Sequence, residues 1–110
     1  MTETEAEIAG LRAVCPEAEP MSEAGNVFAF LPRLRFRAKG ATLCMDALLC
    51  PNAHSGYDTR LFFEQTVPGF SGTWYNHQIL TRSWQTISWR GVSPDQPWIR
   101  ILSEHLGAFA

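Results

Sequence analysis

Cys50 and His54 stand four residues apart, where an apolar run gives way to a stretch of turn formers. A cysteine beside an imidazole is the pair from which a thiolate nucleophile is made, because the neighbouring ring lowers the thiol pKa. His77 is a second imidazole that could serve such a nucleophile. The structural alternative is a core cysteine ending a strand and a solvated loop histidine, since free cysteine is among the most buried residue types. Cys44, Cys50, His54 and His77 also make four potential zinc ligands. However, five residues separate the two cysteines, wider than the knuckle of roughly two to four residues that structural zinc sites use. On a regular strand the two thiols share a face about 20 Å apart. No metal and no cofactor are expected. No nucleophile elbow occurs; Gly69-Phe70-Ser71-Gly72 has the wrong spacing. No phosphate-binding glycine loop occurs either.

Aromatic residues form the other candidate set. Trp74, Tyr75, Trp84 and Trp89 fall within sixteen residues, and Trp and Tyr dominate the energetics of binding surfaces. The competing reading is core packing against a C-terminal helix.

These residues need elements to position them. Residues 1–14 read as a short helix: Thr2 or Thr4 caps it, glutamates fill its first turn, and Ile8, Leu11 and Cys15 lie at helical spacing. Residues 16–26 read as a linker, because Pro16, Pro20, Gly25 and Asn26 interrupt regular structure. Residues 27–37 form a strand or a bent pair. Pro32 in that run implies a bulge or an edge, and beyond it Leu34 and Phe36 alternate with arginines, as on a half-buried antiparallel strand. Lys39-Gly40 turns the chain. Residues 42–50 read as a buried strand, 51–58 as a loop and 59–67 as another strand, with Pro68 to Gly72 turning again. Residues 74–89 read either as a strand with Trp84, Thr86 and Ser88 on one side and Gln85, Ile87 and Trp89 on the other, or as a loop crossing that buries the tryptophans. Over 94–109, Trp98, Ile101, Leu102, His105, Leu106 and Phe109 recur at three- and four-residue spacing, the stripe of an amphipathic helix.

The length, 110 residues, sets an expectation of one domain, and an apolar fraction of 45% with 18% charged residues argues against disorder. The net charge is −2. Arg33, Arg35, Arg37 and Lys39 alternate as a solvent face would rather than clustering, so nucleic acid is not the expected partner. No apolar run approaches the ~20 residues of a membrane span. The acidic N-terminus lacks a signal-peptide pattern, and three cysteines without one suggest reduced thiols and a cytoplasmic location.

Three stretches resemble a known family. Met45 to Phe63 is similar to a strand, a Pro/Tyr-containing loop and a strand; Asn76-His77 stands where that family carries a His-Pro-Asn motif; Ser83 to Trp89, with Pro97-Trp98 and the terminal helix, resembles the end of its bacterial branch. The family is the ubiquitin-conjugating-enzyme superfamily, in its small bacterial form. The resemblance implies an α+β fold: about four antiparallel strands in a meander, flanked by a short N-terminal helix and a C-terminal amphipathic helix. It also implies partners, namely the activating or conjugating enzyme and the ubiquitin-like protein of a bacterial modification system. The window after His77, Gln78 to Trp84, holds no cysteine, where the family places its nucleophile. The expected role is therefore a non-catalytic, partner-binding member, with Tyr57, Trp74, His77, Trp84 and Trp89 as contacts. The alternatives are an active enzyme using a relocated Cys50 with His54 or His77, ester formation on Thr81 or Ser83, or a small interaction module unrelated to ubiquitin chemistry.

Overall fold

A computed structural model describes residues 2–54 and 56–110; Met1 of the expected first helix and Ser55 of the 51–58 loop lie outside the described residues. Helix α1 spans Glu3–Leu11 and starts with a capping box, in which the Thr2 hydroxyl accepts from Glu5 N at 3.1 Å while the Glu5 carboxylate takes the Thr2 N–H. Six strands follow: β1 Glu19–Glu23, β2 Asn26–Ala38, β3 Ala41–Cys50, β4 Arg60–Phe63, β5 Trp74–Ile79 and β6 Arg82–Ile87. Helix α2 spans Trp98–Leu106, and a short 3₁₀ turn, Gly107–Phe109, ends the chain.

All strands belong to one antiparallel sheet in the order β1-β2-β3-β4-β6-β5. This overturns the expected four-stranded meander with a ubiquitin-conjugating-enzyme-like arrangement. Two strands escaped the sequence reading. β1 lies in the expected 16–26 linker, and residues 74–89 hold a hairpin, β5–β6, that docks onto β4 through β6. Three hairpins share one turn geometry, with positive φ at both central residues: Ala24-Gly25, Lys39-Gly40 and Leu80-Thr81. That is the two-residue turn whose twist matches antiparallel strands. Leu80 and Thr81 adopt it at φ +55° and +61° without the usual Asn or Gly.

One face of the sheet carries both helices. Ile8 and Leu11 of α1 and Ile101 and Leu102 of α2 pack on Leu31, Leu34, Ala47, Leu49 and Phe63. Phe109 closes this core, stacked on Trp74 with ring centres 5.9 Å apart and edge-on to Phe63 and Phe70 at 5.4 Å each. α2 begins at Trp98, not at residue 94, with Pro97 as its N-cap residue; the Trp98 N–H donates to the Glu7 carboxylate of α1 at 3.2 Å. Beneath α2, the Thr59 hydroxyl donates to the Val92 carbonyl at 3.0 Å and lies 2.8 Å from His105 Nε2. With its proton committed to Val92, the hydroxyl must accept from the ring, which assigns the Nε2–H tautomer. Burial, and secondarily Arg60, push the His105 pKa down to about 4.

The opposite face also buries a core: Phe28, Leu48, Cys50, Phe62, Ile79 and Trp84. A flat sheet would leave these in water. The sheet curls instead, so that the β5–β6 turn meets β1: Leu80 N donates to the Glu23 carboxylate at 3.0 Å. Trp84 donates its indole N–H to the Ile79 carbonyl at 3.2 Å and lies edge-on to Phe30 at 6.3 Å. Burying these rings on the concave side gives the curl its free energy, at ~25 cal/mol per Å² of apolar surface. Among the described residues, no helix is long and apolar enough to cross a membrane.

Candidate functional site

Strand alternation decides which of the expected residues meet. On β4, Arg60 and Phe62 face the concave side while Leu61 and Phe63 face the helices; on β5, Tyr75, His77 and Ile79 face the concave side while Trp74 faces the helices. His54, His77 and Phe62 form an edge-to-face trio with ring centres 5.4–5.7 Å apart. Burial lowers the pKa of both histidines, aided for His54 by His77 and Arg60 and for His77 by Arg60. Both rings are accordingly neutral at neutral pH.

Cys50 is buried in the same concave core, and its thiol donates to the Asn52 carbonyl at 3.3 Å. Burial pushes its pKa up, against the opposing effects of Asn52 and Arg60. A thiol held protonated in an apolar core is the reverse of an activated nucleophile. The ester alternatives have no activating base in view: the Thr81 hydroxyl donates to the Leu80 carbonyl at 2.6 Å, and the Ser83 hydroxyl accepts from Asn76 and Gln78 at 2.8 and 3.0 Å. Among the described residues, no group of three or more His, Cys, Asp or Glu is placed to hold a metal ion.

The expected contact residues separate. Trp84 is buried in the concave core and Trp74 is half-buried against Phe109, so both are packing residues. Tyr57 and His77 come together at the rim of the concave face, and Tyr75 and Trp89 are 47% and 38% exposed. Tyr57 is reached by a tight backbone bridge with His54, each N–H donating to the other's carbonyl at 2.9–3.0 Å.

At this rim lies a residue that sequence reasoning passed over. Arg60, 4% exposed, lines an open recess of about 340 Å³ together with Tyr57, Tyr75, His77 and Ser88. Its guanidinium carbon sits 4.3 Å from the Tyr57 ring centre and 5.8 Å from that of Phe62. Arg90 covers Tyr57 at 4.5 Å, so the phenol ring lies within reach of two guanidinium groups. One Arg60 nitrogen donates to the Ile87 carbonyl at 3.3 Å, whereas Nε is buried without a hydrogen-bond partner among the described residues. The ion pairs of the described residues are Arg33–Glu17 and Arg82–Asp46; no carboxylate answers Arg60. Hydrogen bonding from Ser88, then the charges of Arg90 and Arg60, pull the Tyr57 phenol below its ordinary range. The available sequence signal was a single arginine heading an otherwise apolar strand, Leu61-Phe62-Phe63.

Comparison with protein-family models, with curated proteins and with solved structures found no match. The function must therefore be argued from this geometry.

Proposed function

We propose that the chain is a non-catalytic binding module that takes an anionic group of its partner into the Arg60 recess. The observation that carries this reading is a guanidinium that lines an open recess, has no carboxylate partner among the described residues and keeps a buried Nε–H without a hydrogen-bond partner. A buried charge is costly unless it is paired, and an anion that pairs it recovers that cost on binding. The surrounding groups suit the same ligand. Tyr57, Tyr75 and Ser88 bring hydroxyls, His77 brings a ring that can gain a proton, and Arg90 adds a second positive charge. Exposed Trp89 and Tyr75 supply apolar area around the charged group.

The ubiquitin-like partners implied by the sequence resemblance are favoured by no geometric observation, and the buried Cys50 thiol gives the relocated-nucleophile alternative no support. The anion-binding recess fits a small interaction module. Its test is calorimetric titration with sulfate, a dianion across the useful pH range. The expected affinity is millimolar, about −4 kcal/mol. Arg60→Gln should weaken it by about 1.5–3 kcal/mol, the range of one charged hydrogen bond, while Arg37→Gln leaves it unchanged. Equal affinity in the wild type and Arg60→Gln would refute the assignment.

A further inference from the structure

A different part of the sheet carries an independent inference. β1 pairs with β2 only over Asn26–Phe30, whereas β3 pairs with β2 from Ala29 to Ala38. The register shifts between Leu31 and Leu34, at the bulge that Pro32 and Arg33 form. Beyond that bulge, β2 has a strand on one side only. The two-residue turn at Lys39-Gly40 makes Ala38 and Ala41 a hydrogen-bonded pair. By antiparallel alternation, Phe36 and Leu34 then also bond to β3, and the N–H and C=O of Arg35 and Arg37 point away from it. Just past them, Lys39 N already donates to the Phe109 carbonyl at 2.9 Å, a backbone acceptor that belongs to no strand.

Beside this edge runs an apolar groove of about 300 Å³, floored by Leu34, Phe36 and Leu102 and walled by Val14, Ile99 and Leu106. Val14 is 50% exposed although it is a large apolar side chain. Arg35 and Arg37 border the same groove and stand on the other side of the strand; neither forms an ion pair among the described residues.

We propose that the Leu34–Ala38 edge accepts an extended acidic segment of another protein as a seventh strand. Its outward main-chain groups would pair with those of Arg35 and Arg37, its apolar side chains would fill the groove, and its carboxylates would meet the two guanidiniums. Charge selects this occupant over a second copy of the chain. Edge-to-edge pairing of two copies would bring the same arginines together, which is how charged edges resist self-association; an acidic strand turns that repulsion into attraction.

The probe is a fluorescein-labelled octapeptide alternating glutamate with leucine and valine, with two twins N-methylated at every second residue, one in each phase. The expected result is binding near ~100 μM, abolished in one N-methylated twin, weakened about tenfold or more in Arg35→Glu/Arg37→Glu, and accompanied by slowed hydrogen exchange at the Arg35 and Arg37 amides of the wild type. The exchange measurement stands even if the double variant folds poorly. Absence of binding at about 1 mM would overturn the proposal. So would equal binding of both methylated twins, which means adhesion to the groove without strand pairing, or concentration-dependent dimerisation protecting the same two amides without peptide.

Discussion

His105 gives the most quantitative consequence of this fold. Its Nε2–H is tied to Thr59 beneath α2, and burial holds its pKa at about 4 against an ordinary 6.5. In the unfolded chain the ring takes up a proton near pH 6.5; in the folded chain it resists until about pH 4. The unfolded state therefore binds more protons between these values, and stability falls as pH falls. The contribution is fully present above 6.5 and fully lost below about 4, a loss of about 3 kcal/mol over that range. Acidification from about pH 7.5 to about pH 5 already costs ~2 kcal/mol from this residue. That is a large part of the 5–15 kcal/mol typical of a domain. The assay is urea denaturation at both pH values for the wild type and His105→Gln, which keeps an N–H donor but cannot titrate. The histidines His54 and His77, also lowered, act with the same sign in both proteins and cancel in the difference. His105→Gln should lose about 2 kcal/mol less than the wild type on acidification. Equal losses would refute the buried, neutral assignment.

Other expectations follow from single contacts. Phe109, next to the C-terminal residue, should behave as core: Phe109→Ala should cost ~3–5 kcal/mol in denaturant unfolding, and a cost near zero would mean its stack on Trp74 is not populated. Thr81 is β-branched at φ +61°, so Thr81→Gly should raise stability by about 1 kcal/mol, offset in part by loss of its bond to the Leu80 carbonyl. An unchanged or lower melting temperature would count against the turn geometry. Alkylation followed by mass spectrometry should modify exposed Cys44 first and spare Cys15 and Cys50 until denaturant is added; early loss of Cys50 would reopen the nucleophile reading. Sulfate affinity should rise as pH falls from about 7.5 to about 6. Burial, and after it the Arg60 charge, keep His77 neutral; a bound anion offsets the Arg60 charge, so binding takes up a proton. A flat profile would remove His77 from the recess.

The legible parts of the sequence were those where periodicity and burial agree. α2's stripe, the alternation from Leu34 to Arg37 and the bulge implied by Pro32 all reappear in the structure. The missed parts share a physical cause, in that local chemistry hid long-range pairing. β1, Glu-Pro-Met-Ser-Glu, has a linker's composition because an edge strand needs no apolar face and tolerates proline. The Leu80-Thr81 turn carries no glycine or asparagine, so the β5–β6 hairpin left no punctuation. Without those elements the sequence predicts about four strands rather than six. The site suffered likewise. Histidines and cysteines drew attention because their chemistry is conspicuous. Arg60 matters only because the curl of the sheet buries it away from every carboxylate, which no local pattern encodes.

The most direct test of that claim is the Arg60 side chain itself, observed by its Nε–Hε correlation in ¹H–¹⁵N NMR of the wild-type protein during sulfate titration. The account expects a progressive downfield proton shift that saturates with the calorimetric affinity, together with shifts at Tyr57, Tyr75 and Ser88. An Nε–Hε signal that stays fixed while distant surface residues respond would contradict it, and Arg60 would then be a structural cation that supports Tyr57 and the end of β6.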